Sequence, residues 1–310
     1  MLVALVFYSN VEAQQNSFSN ASLKELKKKE DSLKVLSKEI VYGKSLSLRK
    51  DADSLFTKMF VRALLVPFSY NYPFDSLNIS KLESPDKNFK IFTWQLAISE
   101  NLVLQKGAIQ MKTADGKLKL FPLIDKSDVI QNAADTITDN LNWYGAIYYR
   151  IISKKDGPDT IYTLLGLDVN SLSSNKKVIE LLSFKYGKPV FGEQRFQLKL
   201  PDENLNKANA ARYFMEYNKE AQTKLNYDPQ MDMILFEHLV PADKRSNKRS
   251  NYVPDGDYQG MKWVNGKWVF VDKVFEVVPQ KTAPVPVPLR DEKGRIDNSK
   301  IKTNGEPSGE

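Results

Sequence analysis

Three glutamates and one histidine are the residues whose types could support catalysis in this chain. Glu180, Glu216 and Glu237 each lie in a run that reads as a β-strand, and His238 follows Glu237 directly. Two carboxylates that flank a glycosidic bond suffice for its hydrolysis, one as general acid and the other as base or nucleophile. Glu180 could equally be the outward residue of an edge strand.

His238 is the single histidine of the chain. It could act as a general base or a metal ligand, or it could be a strand-end histidine bonded to a backbone carbonyl, which is the interpretation we favour. Adjacent residues of a strand face opposite sides, so Glu237 and His238 are not expected to act as a local pair.

Two short acidic motifs resemble the beginning of a calcium loop. Asp168 and Asn170 form one of them, and Asp255 and Asp257 form the other. The residues downstream of Asp168 lack the glycine and the glutamate of an EF-hand loop. Calcium bound by oxygens from separate segments stays an alternative to ordinary turns, in which these side chains bond nearby backbone N–H groups.

Aromatic residues in the middle of the chain raise the question of sugar stacking. Trp143, Tyr144 and Tyr148 are candidate ligand-binding residues. Strand alternation sends Trp143 and Tyr148 to different faces, so at least one set is expected in the core, and we favour the core for these rings.

Several common classes of site are excluded by composition. The chain has no cysteine, so disulfides, thiolate zinc sites and cysteine nucleophiles cannot occur. It has no phosphate-binding loop, no G-x-S-x-G elbow and no G-x-G-x-x-G motif. We therefore predict no cofactor.

The net charge of +7 comes from 45 Lys and Arg against 38 Asp and Glu. Basic residues concentrate in residues 21–50 and in the segment 244–249. They could attract an anionic partner, but basic clusters without interleaved aromatic residues are poor nucleic-acid signatures. We expect solvated surfaces and no nucleic acid.

Apolar periodicity places two helices before the candidate residues. Residues 20–66 carry two stripes with helical spacing, with Ser19 or Asn20 as a cap and Gly43 as a stop. From residue 88 the period changes to two, and turn residues separate the runs, without helical patterns between them. The predicted strands are 143–153, 160–167, 177–184, 194–200, 212–217 and 231–238. The fold class is therefore α+β, with an N-terminal helical hairpin followed by a mainly antiparallel β domain.

Two dipeptides predict hairpin turns. Asp115-Gly116 separates the runs 108–113 and 117–124. Asn265-Gly266 supplies the two positive φ angles of a type I′ turn, which would set Trp263 opposite Trp268.

Both termini differ in composition from the body of the chain. Residues 2–8 are apolar and precede Val11-Glu12-Ala13, which resembles a signal-peptide cleavage site; a buried N-terminal strand is the alternative. Residues 280–310 are rich in proline and charge and are predicted to be disordered. The predicted organisation is a signal peptide at 1–13, a helical arm at 14–70, a β-rich domain at 71–279 and a tail at 280–310, with no transmembrane segment after signal removal.

Five short motifs resemble those of a group of uncharacterised exported proteins of Bacteroidota. The resemblance covers roughly residues 143–272 and implies export and a β-rich fold, without an assigned activity. The matching pieces are Trp143-Tyr144-Gly145, Tyr148-Tyr149, Tyr162–Gly166 with Asp168 and Asn170, Ile234–Leu239, and Val253–Gly256.

The sequence favours a periplasmic or secreted, non-enzymatic binding or scaffold protein of the cell envelope. Its partner would be an envelope protein or a glycan. The alternative is a carboxylate-dependent hydrolase of envelope polysaccharide, which would need two carboxylates converging on a concave pocket.

Overall fold

The computed structural model describes residues 19–99, 102–169, 171–199, 206–243 and 248–275. The predicted signal peptide, the C-terminal tail, Asn170 and residues 244–247 lie outside the described residues. The internal contacts of the chain form one compact unit up to Val274 and a second unit from Phe275 onward. The structure describes only Phe275 of the second unit.

Two helices form the N-terminal hairpin, α1 (Asn20–Tyr42) and α2 (Leu46–Leu64). Ser19 caps α1, because its Oγ accepts a hydrogen bond from the N–H of Ser22 at 3.0 Å. Gly43 follows α1 closely, and a Cβ at this position would lie 2.6 Å from the carbonyl oxygen of Glu39. The predicted cap, the stop and the two helices are confirmed.

Sixteen strands follow within the described residues. They are, in chain order, β1 (Ser80–Glu83), β2 (Phe89–Ala97), β3 (Val103–Met111), β4 (Lys119–Ile124), β5 (Thr138–Asp139), β6 (Ile147–Asp156), β7 (Asp159–Asp168), β8 (Ser174–Lys185), β9 (Lys188–Phe191), β10 (Phe196–Lys199), β11 (Asn206–Ala210), β12 (Arg212–Asn218), β13 (Leu225–Asp228), β14 (Met233–Pro241), β15 (Tyr252–Val264) and β16 (Lys267–Val271).

The strands form three sheets. The first has the order β1-β2-β3-β4, the second β5-β9-β8-β7-β6 with β12 also paired to β8, and the third β11-β10-β16-β15-β14-β13. The named strands pair antiparallel except β10 with β16, which run parallel. None of the described helices is both long and apolar enough to cross a lipid bilayer. The predicted α+β class with mainly antiparallel pairing is confirmed.

Three apolar cores separate four layers. The helical hairpin packs on the first sheet, the first sheet packs on the second, and the second packs on the third. In β2, Phe92 and Trp94 face the helices while Phe89 and Ile91 face the second sheet. Burial on both faces explains why apolar residues stand at both odd and even positions of β2.

Both predicted hairpins are present. Around Asn265-Gly266, Trp263 pairs with Trp268 and Val264 with Lys267, and the turn residues have φ angles of 47° and 76°. At the Asp115-Gly116 hairpin, β3 pairs antiparallel with β4, and the pair nearest the turn is Met111 with Lys119. Its loop is longer than the dipeptide alone implies.

Candidate functional site: a cavity between the second and third sheets

A cavity of about 240 Å³ lies where β12 of the second sheet faces β14, β15 and β16 of the third. Glu216 lines it from β12, and Glu237 and His238 line it from β14. Arg249 enters from the short helical turn before β15. Three of the four residues predicted as catalytic candidates therefore line one cavity, to which β12 and β14 contribute from different sheets.

A β-bulge brings Asp255 to His238. Glu237 pairs with Tyr258 and Leu239 pairs with Pro254, so three residues of β15 oppose the single His238. Gly256, within the bulge, has a φ of 96°, a left-handed conformation that glycine adopts without steric cost.

The carboxylate of Asp255 is held on both sides. Its Oδ2 lies 2.7 Å from Nδ1 of His238, and its Oδ1 accepts the N–H of Asp257 at 3.1 Å. Burial would raise the pKa of Asp255, but the hydrogen bonds from His238 and Asp257 outweigh it and hold the pKa below its usual range. The acidic motif thus serves as a turn and also orients the histidine. The bond of Nδ1 of His238 goes to a side-chain carboxylate, whereas the favoured expectation was a backbone carbonyl.

Glu237 and His238 both line the cavity, although strict alternation would send them to opposite faces. The bulge residues belong to β15, and the pairing of β14 with β15 is interrupted beside them, so both residues border the cavity from adjacent positions of β14. The sequence did not show this, because the bulge depends on the partner strand.

The two cavity glutamates are fixed by hydrogen bonds. Oε1 of Glu216 accepts the hydroxyl of Ser174 at 2.6 Å, and Oε2 of Glu237 accepts the N–H of Lys224 at 2.6 Å. Lys177 lies near enough to Glu237 for a Coulomb attraction, which opposes the lowering of the Lys177 pKa by burial. The carboxylates are therefore preorganised, as in a site that binds a polar ligand.

Cationic and aromatic groups complete the lining. Cζ of Arg249 lies 4.5 Å from the ring centre of Tyr252, and Tyr213, Phe214 and Phe270 form apolar walls. Burial raises the pKa of the Tyr213 phenol, an effect that the charge of Arg249 opposes. Aromatic faces beside fixed charges suit a ligand with both polar and apolar surfaces.

Glu180, the fourth catalytic candidate, is not brought to this cavity. It is completely buried, and its Oε2 accepts a hydrogen bond from Nε of the equally buried Arg212 at 2.6 Å. Nη1 of Arg212 donates to the carbonyl oxygens of Ala133 and Thr136 at 2.9 and 2.6 Å. The pair fastens the segment before β5 to the second sheet, which is a structural role.

The aromatic candidates lie inside the molecule. Trp143 and Tyr148 are completely buried, and Tyr144 is 5% exposed. Nε1 of Trp143 donates to the Tyr148 hydroxyl at 2.7 Å, and that hydroxyl donates in turn to Glu180. Burial first, and then the Glu180 charge, raise the pKa of Tyr148 well above its usual value. These rings offer no exposed face for stacking on a sugar.

The remaining metal candidates do not form a cluster. Asp168 accepts a hydrogen bond from the Tyr144 hydroxyl at 3.1 Å, and burial raises its pKa. Asp257 is exposed. Among the described residues, no three His, Asp or Glu side chains lie close enough together to hold a metal ion.

Sequence reasoning missed two arginines, Arg212 of the buried ion pair and Arg249 of the cavity lining. Arg212 opens an apolar strand, and a charged residue in such a run is a signal for a buried ion pair. Arg249 carried no such signal, because its position in the cavity depends on how β12 packs against the turn before β15.

Comparison with known proteins adds no assignment. No family model matches this chain, and no curated protein or solved structure matches it.

Proposed function

We propose that this chain is a non-enzymatic binding protein of the cell envelope, with a ligand contact in the cavity that holds Glu216, Glu237, His238 and Arg249. One observation carries the proposal: four ionisable residues from three elements, namely β12, β14 and the turn before β15, line one cavity beside aromatic walls. Charges held by internal hydrogen bonds need little reorganisation when a ligand arrives, which favours affinity.

The size of the cavity restricts what enters it. Its volume of about 240 Å³ is below the roughly 300–1,000 Å³ of sites that enclose a drug-sized ligand. It therefore suits a terminal sugar unit or a single side chain of a larger envelope glycan or protein, with the rest of the ligand on the surface.

Export to the periplasm or the cell exterior belongs to the same proposal. Its support is the apolar run at residues 2–8 followed by Val11-Glu12-Ala13. Mass spectrometry of the protein recovered from its native envelope is expected to find an N-terminus at or near Gln14. An intact Met1 would contradict export by this route.

The binding test uses the full-length mature chain and soluble fragments of envelope glycan, titrated calorimetrically. Glu237→Gln keeps the shape of the side chain and removes its charge, and we expect at least a tenfold loss of affinity, or ~1.4 kcal/mol. The matched control is Glu220→Gln, an exposed glutamate that does not line the cavity. Equal binding by the wild type and Glu237→Gln, or no binding by the wild type, would overturn the proposal.

A hydrolase of envelope polysaccharide is the second candidate, and one observation favours it. His238 is oriented by Asp255 beside two glutamates, and a histidine held by a carboxylate is a recurring arrangement for a general base. New reducing ends released by the wild type, but not by His238→Ala or Glu237→Gln, would establish hydrolysis and reject a purely binding role.

A further inference from the structure

A second cavity, of about 700 Å³, lies where β7 begins and β8 ends, beside the hairpin that joins β8 and β9. Its lining combines rings with charged groups, among them Tyr162, Phe184, Tyr186, Glu193 and Arg195. Its volume falls within the roughly 300–1,000 Å³ of small-molecule sites. None of the residues considered above as catalytic or metal candidates lines it.

Tyr186 occupies an unusual backbone position at the rim of this cavity. Lys185 pairs with Lys188, which leaves Tyr186 and Gly187 as a two-residue turn with φ angles of 52° and 74°. Such a type I′ turn favours asparagine followed by glycine, because a side chain with a Cβ is strained at positive φ. Asparagine tolerates this conformation better than tyrosine does.

The chain itself supplies the comparison. The hairpin between β15 and β16 has nearly the same turn angles, and there Asn265 stands where Tyr186 stands here. Tyrosine is therefore not required by the turn. Strain of this kind is found at functional positions, where the side chain serves another purpose.

Packing does not explain the tyrosine either. Its side chain is fully exposed, and within the described ranges it takes part in no hydrogen bond, ion pair or ring contact. The backbone of Tyr186 is strained and its ring is not packed, so the residue contributes no visible stability. A role outside the fold is therefore the remaining physical reason for a tyrosine at this position.

Fixed polar groups also line this cavity. Glu193 accepts hydrogen bonds from Ser183 and from Nε of Arg195, each at 2.7 Å, and pairs with Lys185 at 3.1 Å. Burial would raise the pKa of Glu193, but these donors lower it, so the carboxylate stays charged. With Lys112 and Asp159 also in the lining, cations exceed anions by three to two.

We propose that this cavity binds an oligosaccharide, neutral or carrying carboxylates, with one sugar ring stacked on Tyr186 and its hydroxyl groups bound by Glu193 and Arg195. A sugar has an apolar C–H face and a polar edge, and the cavity presents an aromatic face and a fixed polar network to match them. The lining carries one more cation than anion, and Asp156 next to it also pairs with Arg195, so the charges nearly balance and suit a neutral or carboxylate-bearing sugar.

The test compares variants of the full-length mature chain by saturation-transfer NMR and calorimetry, with a panel of soluble neutral and uronic-acid oligosaccharides. Tyr186→Asn supplies the residue that the turn favours. We expect affinity to fall at least tenfold, while the melting temperature stays equal or rises. Tyr186→Phe, which keeps the ring, is expected to retain binding within about threefold.

Tyr42→Asn is the matched control, because Tyr42 is also exposed but lies at the end of α1, outside this cavity. The inference fails if no oligosaccharide binds, if Tyr186→Asn binds like the wild type, or if that variant is less stable. A ligand lost by Glu237→Gln but kept by Tyr186→Asn would reject this site and leave the first cavity as the binding site. A ligand lost by Tyr186→Asn but kept by Glu237→Gln would support this site and reject the first cavity as the binding site of that ligand.

Discussion

Replacing Trp268 with alanine tests whether the Asn265-Gly266 hairpin is a structural element. Trp268 is completely buried in the core between the second and third sheets, and its Nε1 donates to the hydroxyl of the buried Thr163 at 2.9 Å. Emptying a buried aromatic site costs about 3–5 kcal/mol in free energy of unfolding. A Thr163 hydroxyl left without its partner adds to that cost by roughly 1 kcal/mol or more.

The expected loss of about 3–5 kcal/mol is a large fraction of the roughly 5–15 kcal/mol that stabilises a typical domain. Guanidinium denaturation followed by far-ultraviolet circular dichroism measures it, since tryptophan fluorescence itself changes with the substitution. Trp268→Phe retains most of the packing but removes the hydrogen bond to Thr163 and part of the ring volume, so its loss is expected to be smaller, about 1–3 kcal/mol.

Trp263→Ala is the control on the same hairpin. The two indole rings meet edge to face, with centres 5.3 Å apart, but Trp263 is only half buried. Its loss is expected to be near 1 kcal/mol, mainly that of an aromatic pair. A loss below about 1 kcal/mol for Trp268→Ala, or equal losses for both variants, would refute a structural role and indicate an exposed binding surface.

Three further outcomes follow from the buried and hydrogen-bonded ionisable groups. Arg212→Met is expected to cost about 3–5 kcal/mol by chemical denaturation, because it leaves Glu180 buried without its partner; adding Glu180→Gln should restore part of that loss, and no restoration would speak against the pair. The pKa of Asp255 is lowered in the folded state, so its stabilisation is present above pH ~4 and lost as the pH falls further; Asp255→Asn should flatten this part of the stability curve, and an unchanged curve would contradict it. The pKa values of Tyr144 and Tyr148 are raised, chiefly by burial. The folded state therefore keeps protons that the unfolded chain loses above pH ~10, and the free energy of unfolding falls as the pH rises. Tyrosinate absorbance from these rings should appear together with unfolding and not before it.

Local features of this fold could be predicted from contiguous sequence. The cap at Ser19 and the Trp263–Trp268 register depend on hydrogen bonds and backbone angles within a few residues, and such interactions are encoded by residue type and spacing. The change from a period of 3.6 to a period of two likewise predicted helices followed by strands.

The candidate sites depended on tertiary structure. Glu216 and His238 meet because β12 packs over β14, and Asp255 reaches His238 through a bulge that exists only in the paired strands. Neither relation has a sequence signature, because strand order and bulge position follow from which faces are buried together.

Burial separated residues that the sequence presented as equivalent. Glu180 and Glu237 both lie in strands. Glu180 forms an ion pair with Arg212 in the core, whereas Glu237 lines an open cavity. Tyr148 and Tyr186 differ in the same way, one fully buried and the other fully exposed. Composition and periodicity determined the α+β architecture of this protein, while the packing of its layers decided which side chains reach a ligand, since solvent access depends on contacts between segments far apart in the chain.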